Sequence, residues 1–224
     1  IEIAKKIPRP EAILSVSAHW YTDGTRISDA AKPETIYDMY GFPDELYQVT
    51  YNAPGAPELA HNIKGMISAA VETDNSWGID HGTWSVLHRM YPKADIPVLQ
   101  LSVDSLTSFD AHFRMGQELS SLREKGVLIM GSGNIVHNLY RIEGEEDAKP
   151  YPWALAFNEL VKPAVAKGDR ETLAHYALPV EASREGVPTP EHYLPLLAIL
   201  GAMREGESAK IFHESFQNAS IAMT

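Results

Sequence analysis

Four histidines sit where their type and setting could do chemistry. His19 follows the apolar run Ala12-Ile-Leu-Ser-Val-Ser17, in Ala18-His19-Trp20. His81 lies in Trp77-Gly-Ile-Asp-His-Gly-Thr-Trp84, and His137 follows Gly131-Ser-Gly-Asn-Ile-Val136. His192 lies in Val187-Pro-Thr-Pro-Glu-His-Tyr193. A neutral imidazole can ligate a divalent metal through one nitrogen, or move a proton near neutral pH. The chain has no cysteine, so disulfides and thiolate sites are excluded and His, Asp and Glu are its only strong metal ligands. The pattern points to a metal site.

Each histidine also has a plainer reading. His19 could be a satisfied side chain at a sheet rim. Gly78 and Gly82 bracket a tight turn that opens a helix at Thr83. Backbone N–H dipoles at such an end disfavour positive charge, which suits His81 as a general base or electrophile. Simple N-capping by Asp80 or Thr83 explains the same turn. The glycines before His137 allow close backbone approach, but the Gly-Lys-Ser/Thr of a phosphate loop and the spacing of a dinucleotide fingerprint are missing. Thr189 as N-cap and Pro190 at the first helical position would put Glu191 and His192 in a first turn. Glu191 there either offsets the helix dipole or competes with His192 as a ligand. His61 and His112 are expected at the surface or boundary of amphipathic helices, and His88 is expected to pack. No role falls to these three, or to His175 and His213.

The elements that must carry these residues alternate. Strands are expected at 12–17, 97–103 and 127–132, where short apolar runs meet turn residues. Helices are expected at 58–72, 83–91, 109–124 (closed by Gly126), 134–140, 153–166 (with Pro163 inside) and 190–200. Residues 210–213 and 219–223 read as closing strands. Residues 21–57, rich in Tyr, Pro and Gly, read as a long functional loop. The expected fold class is α/β, a single domain over 1–224 with a mixed sheet flanked by helices. Ligands of such sheets sit beyond the carboxyl ends of the strands, where a histidine-lined cleft is expected.

Bulk properties narrow the partners. A formal net charge of −11, with no basic cluster beyond Lys5-Lys6, argues against nucleic acid. The acidic run Glu143–Asp147 reads as a solvated loop. No stretch approaches the roughly 18 apolar residues of a membrane span, and no signal peptide is visible. A cytoplasmic protein is expected. The chain opens at Ile1 without methionine and stops at Thr224 beside an apolar run, so further segments are expected beyond both ends.

Six segments in order carry a resemblance: Ser17-Ala-His-Trp20, Gly41-Phe-Pro43 with Tyr51-Asn-Ala-Pro-Gly55, Trp77–Trp84, Gly131–Asn138, Tyr151-Pro-Trp153 and Pro188–Leu196. Together they resemble class III extradiol ring-cleavage dioxygenases of the 4,5-DOPA dioxygenase-like (LigB-type) group, over essentially the whole chain. The resemblance implies a non-haem Fe(II) enzyme that opens a catechol ring beside its diol with O2, at a site that Zn(II) can also occupy. It implies His19, His137 and His192 as metal ligands and His81 and His137 as acid–base groups, His137 being open to either role. Related enzymes often use a late glutamate, so Glu191 rivals His192. The family's His-Gly-Ser-Pro metal turn is not present in this chain. Ser17, Asn134 and Tyr193 are candidate supports for the ligands, and the loop 37–57 could cover an aromatic substrate. Homo-oligomerisation stays open. The competing readings are a zinc hydrolase using the same histidines and a non-catalytic protein that binds metal or aromatics.

Overall fold

Five strands order the first of two compact units, which comprises Ile1–Thr107 and Glu118–Ser132. A computed structural model of the protein describes residues 2–175 and 181–224. The strands are β1 (Ala12–Thr22), β2 (Thr25–Ser28), β3 (Val71–Asp74), β4 (Val98–Asp104) and β5 (Val127–Ser132), in the order β3-β2-β4-β1-β5. β1 pairs in parallel with both β4 and β5, while β2 is antiparallel to β4 and parallel to β3. The sheet is therefore mixed and the fold α/β, as expected. Residues Ala12 to Ala18 and all seven residues of β4 are buried. Burial that continues residue after residue instead of alternating belongs to central strands covered on both faces.

Helices α1 (Glu2–Lys6), α2 (Pro57–Lys64) and α3 (His81–Met90) belong to this unit. α3 lays Trp84 and Leu87 into a core with Ile13, Tyr51, Ala53, Ile79, Ile96 and Val98. Each buried Leu, Ile or Val side chain among them contributes about 1.5–3 kcal/mol. Two expectations within this unit need correction. The helix expected over 58–72 stops at Lys64, and Val71–Asp74 forms β3. Part of the loop expected over 21–57 is β2. Both segments are four residues long, and pairing with a neighbour rather than local pattern decides their state.

α4 (Phe109–Leu119) runs on into a 3-10 turn that ends at Gly126, with φ 75 in the left-handed region, as the glycine predicts. The second unit comprises Ser108–Gln117 and Gly133–Thr224. Its helices are α5 (Pro152–Lys167), α6 (Arg170–Ala174), α7 (Glu181–Gly186) and α8 (Leu194–Gly201), and a small ribbon joins β6 (Phe216–Gln217) to β7 (Ile221–Ala222). The helix expected at 134–140 is absent: Ile135 and Val136 are buried outside any helix, His137 bridges to Ile221, and only Leu139–Arg141 makes a 3-10 turn. β-branched residues suit that bridged run better than a helix. The helix expected from 190 starts at Leu194, and Pro190–Tyr193 form a turn in which the Pro190 carbonyl accepts from Tyr193 and Leu194. The closing strand expected at 210–213 lies instead at 216–217. His112, expected near the surface, is 2% exposed, with Nδ1 3.1 Å from the Ser108 carbonyl oxygen. Among the described residues, no helix is long and apolar enough to cross a membrane.

Candidate functional site

His19 owes its position to a bulge. Ser17 pairs with Ser102 and Tyr21 with Val103, which leaves Ala18, His19 and Trp20 out of register with β4. Bulges bend a strand and re-aim its side chains. The strand does not end at Ser17, as its sequence suggests, but resumes at Tyr21. The Ser17 hydroxyl accepts from the His19 backbone N–H at 3.3 Å, and the Trp20 ring stacks on Trp77 at 5.5 Å.

His81 opens α3. Its neighbour Asp80 is the N-cap, fully buried, accepting from Thr83 N at 2.9 Å and from Gln100 Nε2 at 2.7 Å. That bonding leaves the imidazole to a different carboxylate. Ile79 donates to the Glu34 carbonyl at 2.7 Å, and Ile36 donates to the Ile79 carbonyl at 2.9 Å. Gly78 permits this pairing, because a Cβ there would lie 2.1 Å from the Glu34 oxygen. Two residues past Ile36, Asp38 reaches His81. Its Oδ1 accepts from the His81 backbone N–H at 2.8 Å, and Oδ2 lies 3.0 Å from His81 Nδ1.

The same Asp38 Oδ2 stands 3.5 Å from His19 Nδ1, and the His19 and His81 rings are 3.9 Å apart. These three side chains are 21%, 17% and 21% exposed in the order His19, Asp38, His81. Burial works to raise the Asp38 carboxyl, but side-chain and backbone bonds from His81, together with its charge, hold it below the ordinary aspartate value. Gly82 packs under the cluster, and the Ser132 hydroxyl donates to its carbonyl at 2.7 Å. The ring of Phe42, half exposed, lies 6.5 Å from His81.

The second unit holds its own group, His137, Glu191 and His192. The two rings stack at 3.5 Å with planes 8° apart. Asn134 Oδ1 lies 3.1 Å from His192 Nδ1, its Nδ2 donates to the Ala222 carbonyl at 2.8 Å, and its backbone N–H donates to the His192 carbonyl at 2.9 Å. The close approach expected of the glycines is realised at Gly133, where a Cβ would lie 2.2 Å from the His192 oxygen. Thr189 is not a helix cap; its hydroxyl donates to Glu191 at 2.7 Å. Tyr193 is fully buried and donates to the Leu173 carbonyl at 3.1 Å.

Within each of these groups one donor atom per residue lies within 4.8 Å of the others. Imidazole nitrogen with carboxylate oxygen is the donor chemistry of zinc and non-haem iron sites, so the residues fit a divalent ion. His19 thus meets His81, and His137 meets Glu191 and His192. Sequence reasoning missed Asp38. Its only local signal is an acid among aromatics in Tyr37-Asp-Met-Tyr-Gly-Phe-Pro43, a segment already marked as a functional loop.

Four known proteins or families resemble this chain. A family model described as the catalytic LigB subunit of aromatic ring-opening dioxygenase matches residues 2–224. A protein of Escherichia coli K12 named 4,5-DOPA dioxygenase extradiol is 44% identical over 99% of this chain and 83% of its own. A protein of the same name from Beta vulgaris is 41% identical over 96% of this chain and 81% of its own. The crystal structure of an uncharacterized Escherichia coli K12 protein aligns with a TM-score of 0.86 and 41% identity, covering 99% of this chain and 87% of that one.

Proposed function

The chain belongs to the family of LigB catalytic subunits of aromatic ring-opening dioxygenases and is an extradiol ring-cleavage enzyme, and from that premise we propose that its substrate is a DOPA-like catechol and its metal Fe(II). The observation that carries this reading is the near-complete match to two relatives named for DOPA. The reaction takes a small aromatic substrate and O2, and enzymes of this family depend on a metal. When bound, iron supplies the redox partner that lets a spin-paired diol react with O2.

The chain's own residues divide the remaining work in this proposal. His19 and His192 act as metal ligands, with Glu191 the alternative to His192. His137 serves as a ligand or as an acid–base group. His81 accepts a hydroxyl proton as the catechol binds, a step that needs a base within hydrogen-bond reach. The exposed ring of Phe42 near His81 supports aromatic binding on the same side. Holding diol and O2 together in one orientation supplies a large share of the rate. A zinc hydrolase and a non-catalytic binder are not favoured.

The test loads the full-length protein with Fe(II) without air and then adds L-DOPA and O2. The expected result is oxygen uptake in step with catechol loss, with a yellow ring-opened product. Absence of uptake by the iron-loaded protein, with ester hydrolysis by the zinc-loaded one, would overturn the proposal.

A further inference from the structure

One carboxylate faces both imidazoles of the first unit. Asp38 takes the His81 backbone N–H on Oδ1 at 2.8 Å, and its Oδ2 stands 3.0 Å from His81 Nδ1 and 3.5 Å from His19 Nδ1. We infer that Asp38 is a positioning residue: its hydrogen bond keeps the ring proton of His81 on Nδ1 and makes Nε2 the basic nitrogen, and its charge, 3.5 Å from His19 Nδ1, favours the same tautomer of His19. This rests on the roles proposed above for the two histidines: Nε2 of His19 is then the metal donor, and Nε2 of His81 the proton acceptor.

An ionised carboxylate only accepts, so a ring nitrogen bonded to it carries the hydrogen. In a neutral imidazole the lone pair is then on the other nitrogen. A carboxylate behind a ligating histidine fixes the ring and raises its basicity. Asp80, adjacent in sequence, does not substitute, because its two oxygens serve Thr83 and Gln100. Asp38 is also held on a fixed arm, since Glu34 and Ile36 pair with Ile79 and the Ile36 carbonyl accepts from Trp84 Nε1 at 3.0 Å. Both oxygens are in use, so an amide would not replace it. One amide atom would be a donor facing a donor.

The test uses the full-length zinc-loaded protein, as wild type, Asp38→Asn, Asp38→Glu and His19→Ala. Nitrogen-15 spectra of the histidine rings report which nitrogen carries the proton, and chelator competition reports metal affinity. The wild type is expected to show Nδ1–H in His81 and His19. Asp38→Asn is expected to lose that preference and to weaken metal binding about 10–100-fold. With iron it should lower kcat while KM stays within about twofold, and Asp38→Glu should restore part of both losses. Nε2–H in wild-type His81 would overturn the inference, as would an unchanged ring pattern in Asp38→Asn. Metal loss in Asp38→Asn as complete as in His19→Ala would also overturn it, by making Asp38 a ligand. Metal retained by His19→Ala would instead overturn the ligand role of His19, while the His81 spectrum still decides the role of Asp38.

Discussion

Gly82 sits so close to His19 that a Cβ on it would lie 2.5 Å from the imidazole Cδ2. The same carbon would meet Ser132 Oγ at 2.9 Å and Ser17 Oγ at 3.0 Å. A methyl group there must displace the ring, and the two hydroxyls must give way as well. Gly82→Ala gains about 1 kcal/mol of helix propensity but costs about 1–3 kcal/mol of overpacking. The expected outcome is a folded protein, roughly 1 kcal/mol less stable, whose metal binding falls at least about tenfold as His19 moves. Urea denaturation and metal titration on the same sample check both parts.

Asn134 should matter to metal binding more than to folding. Its Oδ1 partners His192 Nδ1 and its Nδ2 holds the Ala222 carbonyl. Asn134→Ala removes both and is expected to weaken metal affinity about 10–100-fold, for a stability loss of about 1–2 kcal/mol. Asn134→Asp keeps an acceptor for the imidazole, so it should recover affinity while still lacking the bond to Ala222. Metal titration of the two variants side by side gives the comparison.

Gly133 predicts a different kind of failure. Its would-be Cβ meets the His192 carbonyl oxygen at 2.2 Å, which is backbone and cannot swing away. Gly133→Ala should therefore destabilise the fold by about 3 kcal/mol or more, beyond the usual range for a single methyl. Thermal melting checks this, and the loss should exceed that of Gly82→Ala.

Tyr51 sets an alkaline limit. Burial, with the charge of Asp95 and the nearby Tyr91, pushes its hydroxyl up to about 12, and it donates to the Tyr91 carbonyl at 3.1 Å. An unfolded tyrosine releases its proton near 10, so between about pH 10 and 12 the unfolded chain binds fewer protons than the folded one. Stability from this group is present in full below pH 10 and falls as pH rises, by about 2 kcal/mol across the window. Tyr51→Phe should cost about 1 kcal/mol at neutral pH yet show a shallower alkaline decline. Urea midpoints from pH 9 to 12 measure the slope.

The sequence made the central strands legible because burial on both faces leaves a largely apolar run, broken only by Gln100 and Ser102 before Asp104 in Val98–Asp104. β2 and β3 carry no such signature. Thr25–Ser28 and Val71–Asp74 are strands because they pair with each other, which no local window contains. The four histidines stood out through the small residues around them. The bulge at Ala18–Trp20 did not, since it is defined by register against β4. Asp38 stayed hidden for a similar reason: it meets His81 across 43 positions, through the pairing of Glu34 and Ile36 with Ile79. His192 was legible as a residue but misplaced as helical, because Pro190 closes a turn before Leu194 begins the helix.

The division of labour between His19 and His81 is tested most directly by metal content and turnover of His19→Ala and His81→Ala, prepared identically. His19→Ala is expected to lose its metal. His81→Ala is expected to retain metal and to lose turnover. Equal loss of metal in the two variants would contradict the account.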